Sequence, residues 1–244
     1  MTIKARKEST MYIKSFIHKG NAKLADYTAE DGTEYRYAQF NLPAKKTCPY
    51  ASKNCLKFCY AKRDERYKSV RNNRLVSFEL SKADDFAEAM IYTIETAFMT
   101  KRYSNAHMIL RIHESGDYYN NLYFKKWFEV FKHYEGAKNL TFCFYTKCFD
   151  YILNLSEEEQ AIFDRLTKSG LVACSLSLDE SSTAEQVIKA IKIKARYSNV
   201  NIYYAIDEKK IDTIAHDEVC DCKDCAKCAK CVKTSGKTVA CAIH

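Results

Sequence analysis

Residues 106–113 read AHMILRIH, residues 121–134 read NLYFKKWFEVFKHY, and residues 140–146 read LTFCFYT. The first is a compact apolar run of strand length. The second repeats large apolar residues at helical spacing, with Phe124, Trp127, Phe128 and Phe131 on one face. The third is again strand-like. The alternation then continues. Ser156 with Glu159 forms a capping box opening a helix to about Thr167, and LVACSLSLD (171–179) follows as a strand. Ser182 with Glu185 is expected to cap the next helix, whose apolar face would carry Val187, Ile188 and Ile191. VNIYYAI (200–206) is a further strand. Strand–helix–strand at this spacing predicts an α/β fold with a parallel sheet, either a partial (β/α) barrel or an open sheet. Such folds bind ligands at the carboxyl ends of their strands.

Upstream, residues 1–47 read as a β-rich segment. MYIKSFI (11–17) and YRYAQFNL (35–42) are β-prone, and AEDGTE (29–34) supplies a turn between them. From about Leu75 to Thr100 the pattern is helical, with Phe86, Met90, Ile94, Ala97 and Phe98 in register. The expected division is an α/β domain over 1–218 and a Cys-rich metal-binding tail over 219–244.

Polar residues gather just beyond the expected strands. Arg111 and His113 close AHMILRIH, followed by Glu114, Ser115, Gly116 and Asp117. Thr146 and Lys147 follow LTFCFY, Ser177 and Asp179 end LVACSLSLD, and Asp207 follows VNIYYAI. In a parallel sheet these groups share one rim. Arg111, His113, Ser115, Gly116, Asp117, Thr146, Ser177 and Asp179 are therefore the candidate ligand-binding residues. Taken singly, each would serve as a cap or turn residue. Gly116 has two compatible readings, a left-handed turn and close backbone approach to a ligand.

Of 244 residues only 6 are glycine, and no two are close neighbours. Walker A loops, dinucleotide-binding GxGxxG turns and GxSxG elbows all need paired glycines and are absent. Ser-Gly-Asp after His113-Glu114 excludes HExxH. No apolar run approaches the roughly 20 residues of a membrane span. MTIKARKEST (1–10) lacks the apolar centre of a signal peptide. The expectation is a cytoplasmic protein, where thiols stay reduced and clustered cysteines signify metal.

The 12 cysteines fall into three groups. CPYASKNCLKFCYA (48–61) holds Cys48, Cys55 and Cys59 with no near fourth ligand. That pattern suits a [4Fe–4S] cluster with one iron left open to a small molecule better than a four-coordinate zinc, unless the tail supplies a fourth ligand. The tail VCDCKDCAKCAKC (219–231) places Cys222, Cys225, Cys228 and Cys231 at every third residue, as in ferredoxin cluster motifs. Cys220 competes with Cys222, Cys241 and His244 are spare candidates, and zinc is the alternative metal. Cys143, Cys148 and Cys174 read as buried core thiols.

The formal charge of +8 points to an anionic partner. KRDERYKSVRNNR (62–74) concentrates cations around Tyr67 and is the candidate nucleic-acid contact, a solvated helix face being the plainer alternative.

Taken together, Gly20-Asn21-x-Lys23, Cys48-Pro49…Cys55…Cys59-Tyr60-Ala61, Arg111-Ile112-His113-x-Ser115-Gly116-Asp117, Tyr145-Thr146-Lys147 and terminal His244 resemble the phage gene product 88 domain family over nearly the whole chain. The resemblance implies the cytosol of a phage-infected bacterial host and carries no settled biochemical activity. A looser likeness is to radical S-adenosylmethionine (SAM) enzymes. Those carry a three-Cys loop after the first strand of a partial barrel, an aromatic residue beside the last Cys and a Gly-Gly-Glu-like motif after the second strand. Phe58 and Tyr60 flank Cys59, and Ser115-Gly116-Asp117 occupies the comparable place. Their usual spacing is CxxxCxxC, where this chain has C-x6-C-x3-C. The likeness implies an enzyme with SAM as ligand of the open cluster and a second cluster in the tail; the alternative is a non-catalytic iron–sulfur or zinc module that contacts nucleic acid.

Overall fold

The computed structural model describes residues 17–21, 24–220 and 235–243. In chain order the elements are β1 (His18–Lys19), β2 (Tyr27–Thr28), β3 (Glu34–Phe40), α1 (Lys53–Lys57), α2 (Tyr60–Asp64), α3 (Lys68–Ser81), α4 (Phe86–Phe98), β4 (His107–Ile112) and α5 (Asn121–His133). They continue with β5 (Leu140–Thr146), α6 (Phe149–Leu153), α7 (Glu157–Lys168), β6 (Val172–Asp179), α8 (Ala184–Arg196), β7 (Asn201–Asp207), a 3-10 helix (Glu208–Thr213), β8 (Glu218–Cys220) and β9 (Thr238–Ile243). Most of MYIKSFI and the expected ligands Cys222, Cys225, Cys228 and Cys231 lie outside the described residues, as does His244.

The nine strands form one open sheet in the order β1-β3-β4-β5-β6-β7-β9-β8, with β2 also pairing β3. From β3 to β7 each strand lies parallel to its predecessor in the chain. Stepping always in one direction, right-handed crossovers bring all their helices to one face. The core agrees. Phe40, Leu110, Ile112, Phe142, Phe144 and Leu176 pack with helix residues, whereas Tyr37, Ile109, Cys143 and Ala173 form a separate small cluster. Such a sheet has no topological switch point between β3 and β7, so its shared carboxyl edge is where loops converge.

The helix-side core is strongly aromatic. The indole of Trp127 meets Phe40 and Phe86 edge-on at ring-centroid distances of 5.5 Å. Phe124, Trp127, Phe128 and Phe131 are all buried, as the α5 periodicity predicts. The Ser156–Glu159 capping box opens α7 with both reciprocal hydrogen bonds present.

Three local expectations change. The single helix over 75–100 is two helices, beginning at Lys68 and interrupted at 82–85. Lys126 Nζ donates to the carbonyls of Lys82 and Ala83 at 3.1 and 2.7 Å, satisfying the end of α3 from a distant helix. The capping box of α8 is Thr183 with Gln186, one residue beyond Ser182 with Glu185. Ser182 Oγ instead accepts from the Asp179 backbone N–H at 2.9 Å. The buried face of that helix also differs: Ala190 and Ile193 are buried, Val187 is partly buried, and Ile188 and Ile191 are exposed.

Residues 238–243, within the expected tail, form β9 and pair with β7 along its length. Cys220 and Cys241 are register neighbours across β8 and β9, both buried beside Val239. Among the described residues no helix is long and apolar enough to cross a membrane.

Candidate functional site

The chain leaving β3 runs along the turn that leaves β4. His113 N–H donates to the Phe40 carbonyl at 2.8 Å, Leu42 N–H to the Ser115 carbonyl at 2.9 Å, and Ser115 Oγ to the Leu42 carbonyl at 2.8 Å. Asp117 N–H donates to the Thr47 carbonyl at 3.1 Å, directly before Cys48. Gly116 adopts φ +90°, and a Cβ there would stand 2.6 Å from Thr47 Oγ1 and 2.7 Å from Leu42 Cβ. The left-handed turn expected of Gly116 is present, and the close approach is to Leu42 and Thr47, in the segment leading to the cysteine loop.

Asp117 is the hub. Its carboxylate accepts from Thr146 Oγ1 at 2.8 Å, from Lys147 N–H at 2.9 Å and from Tyr118 N–H at 2.8 Å. Burial raises its pKa above the usual carboxylate range against those hydrogen bonds. Lys147 Nζ reaches onward to Asp179 Oδ2 at 2.9 Å and to the Ser177 carbonyl at 3.0 Å. Asp179 takes further hydrogen bonds from Ser52 Oγ and, at 2.7 Å, from Ser181 Oγ. Burial pushes Asp179 up, but the Ser52 hydroxyl and the Lys147 charge outweigh it and hold the pKa below its ordinary value.

Ser52 also caps α1 by accepting from Cys55 N–H at 3.2 Å. Asn54 N–H donates to Ser181 Oγ at 2.8 Å, and Gln186 Nε2 to the Tyr50 carbonyl at 3.2 Å. On its other flank Tyr60 OH donates to the Glu114 carbonyl at 2.9 Å. The loop carrying Cys48, Cys55 and Cys59 is thus fastened across the ends of β4, β5 and β6. Cys55 is exposed; Cys48 and Cys59 are half-buried. The three thiols lie close enough to feel one another's charge. Burial, then the Asp117 charge, pushes Cys48 up to about 12. Burial also raises Cys55, opposed by the Lys147 cation.

Among the described residues no three His, Cys, Asp or Glu side chains gather tightly enough to hold a single metal ion. Cys48, Cys55 and Cys59 share one loop fastened at the strand ends.

The other expected residues divide. Ser115, Gly116, Asp117, Thr146 and Asp179 converge with the cysteine loop, and Ser177 contributes only its carbonyl, to Lys147. His113 turns inward at φ +60°, its Nε2 2.8 Å from Tyr123 OH, which also accepts from Trp127 Nε1 at 2.7 Å. Burial, reinforced by the Arg111 charge, lowers its pKa to about 3. Arg111 lies on the opposite face of the sheet, its guanidinium 4.0 Å from the Tyr145 ring centroid. Asp207 caps the 3-10 helix by accepting from Lys209 N–H at 2.9 Å.

Cys148, read as a core thiol, is buried and sits within electrostatic reach of both Asp117 and Cys48, with Sγ donating to the Tyr118 carbonyl at 3.1 Å. Only its position directly after Lys147 could have announced it. Ser52 was likewise missed, although Ser three residues before Cys55 is a helix-cap signal. The basic stretch 62–74 is partly consumed internally. Arg74 is buried, donating to the Ala61 carbonyl at 2.7 Å, and Lys62 pairs with buried Glu65 at 2.8 Å. Lys53, Lys57, Arg63, Arg66, Lys68 and Arg71 remain exposed.

No curated protein and no solved structure matches the chain. The family model described as Gene product 88 matches residues 15–234, a span that includes the cysteine loop, the Asp117 hub and the Cys-rich run. The chain therefore belongs to the gene product 88 family.

Proposed function

We propose that this protein is an iron–sulfur enzyme. Cys48, Cys55 and Cys59 hold a [4Fe–4S] cluster with one iron open to a small-molecule ligand. The tail supplies a second centre from Cys220, Cys222, Cys225, Cys228 and Cys231. The observation that carries the reading is the fastening of a three-thiol loop over the carboxyl edge, by the buried Asp179 carboxylate through Ser52 and by the Asp117 backbone N–H through the Thr47 carbonyl. A site held on strand ends by a second set of hydrogen bonds is preorganised, as binding sites require.

The ligand that fits the loop order and the acidic turn after β4 is SAM, as in radical SAM enzymes. Bound by Cys48, Cys55 and Cys59, a cluster would supply the electron for cleavage of such a sulfonium. The chain's own work is positional. The buried Asp117 carboxylate, fixed by Thr146 and the Lys147 amide, would meet a ligand ammonium, and Lys147 with Asp179 and Ser52 holds α1 in place. Tyr60 ties the last cysteine to the β4 turn.

Anaerobic purification with iron and acid-labile sulfide analysis tests the metal. Iron and sulfide in equal amounts are expected, falling by about one cluster in the Cys48→Ala/Cys55→Ala/Cys59→Ala variant. Zinc without iron, or an unchanged iron content in that variant, overturns the reading. Incubation with SAM and dithionite tests the chemistry. 5′-Deoxyadenosine is the expected product; intact SAM together with an unperturbed cluster spectrum overturns the enzymatic half and leaves the iron–sulfur half standing.

A further inference from the structure

The surface beside the cysteine loop departs from ordinary solvent-facing chemistry in two ways. Large aromatic side chains stand in water there: Phe58 is 59% exposed and Tyr67 is 56% exposed. Each also carries a cation on its ring, Lys57 Nζ at 4.8 Å from the Phe58 centroid and Arg66 Cζ at 5.1 Å from that of Tyr67. The same surface carries an excess of cations. Its two nearest acids face inward or toward Arg74: Glu65 is buried with Lys62 and Arg74, and Asp64 lies 3.9 Å from Arg74. On α3 the exposed face runs Tyr67, Lys68, Arg71, Leu75 before the first exposed acid, Glu79.

We infer that this surface binds single-stranded nucleic acid, with Phe58 and Tyr67 as stacking faces for unpaired bases and Lys57, Arg66, Lys68 and Arg71 as phosphate contacts. A patch with excess positive charge matches a phosphate backbone and supplies affinity for any polyanion. The aromatic faces select within that class. A base can lie flat on an exposed ring only when it is not already stacked in a duplex, and a neighbouring guanidinium or ammonium then meets the adjacent phosphate. An acidic protein would engage the charges and leave the rings without a matching plane. The inference does not depend on what the cysteines bind.

The test is fluorescence anisotropy on the full-length purified protein with labelled oligothymidylate, a duplex of equal length, and polyglutamate as competitor. Tighter binding of the single strand is expected. Phe58→Ala or Tyr67→Ala should each weaken it roughly 5- to 150-fold. Arg66→Gln with Lys68→Gln should flatten the plot of log affinity against log salt by about 0.7 for each cation removed. All four positions are exposed, so these variants should melt as the wild type does, which circular dichroism checks. Equal affinity for duplex, displacement by polyglutamate at equal charge, or indifference to both aromatic substitutions in a folded protein overturns the proposal.

Discussion

Two buried regions meet at the carboxyl half of the sheet and are built from opposite materials. Below lies the aromatic core around Trp127, built with Phe40, Phe86 and Phe131 and composed almost wholly of apolar rings. Above lies a rim of Asp117, Thr146, Lys147, Asp179 and Ser52, buried to a similar degree and composed of charge and hydroxyl groups. Burying apolar rings stabilises the fold directly, whereas a buried ion pair must offset its own desolvation and at best roughly balances it. A chain selected for stability alone would extend the aromatic core upward. The rim exists to hold something in place, and what it holds is the cysteine loop.

The largest test of that contrast is Trp127→Ala. It removes the central indole and its donation to Tyr123, and unfolding free energy should fall by roughly 3–5 kcal/mol in urea titrations. The cysteine loop should stay in place while the protein remains folded. Lys147→Met should cost about 3 kcal/mol by stranding Asp179 without its cation. Its signature differs: the backbone amides of residues 52–58 should exchange hydrogen faster under native conditions, because Ser52 and Asn54 lose the support of Asp179 and its neighbour. Equal exchange of that loop in both variants would erase the distinction between core and rim.

His113 sits on the boundary, and its effect per pH unit is the smallest of the three. Its folded pKa is near 3, below the unfolded value near 6.5. Between those values the unfolded chain binds a proton that the folded chain does not, so stability rises with pH. Its contribution is fully present above about pH 6.5 and is lost progressively as pH falls toward 3. The wild type should lose up to about 1.4 kcal/mol per pH unit across that window relative to His113→Gln. Parallel stability–pH curves for the two proteins would show that His113 does not remain neutral in the fold.

Much of this arrangement is legible in one dimension because it depends on local periodicity. The strands from β3 to β7, the apolar stripe of α5 and the Ser156 capping box each follow from residues within one element. The shared rim follows as well, since parallel strands bring Ser115, Asp117, Thr146, Ser177 and Asp179 to one edge. Errors arose where a distant side chain competes with a local signal. Lys126 stops α3 from another helix, and Asp179 draws Ser182 away from the cap of α8. Cys148 is the buried core thiol its sequence predicts, and only its nearness to Asp117 and Cys48 has no signal in the residues beside it.

The sequence by itself determined an α/β chain with a parallel sheet, a polar carboxyl edge and cysteines set apart in a loop and a tail. These are consequences of spacing, which local backbone geometry converts directly into faces and edges. Tertiary structure alone decided that Lys147 spans from Asp117's turn to Asp179, that Gly116 yields its space to Thr47 and Leu42, and that β9 inserts between β7 and β8. Each joins residues far apart in the chain. Such contacts depend on how whole elements are stacked, and on which buried polar group finds its partner first.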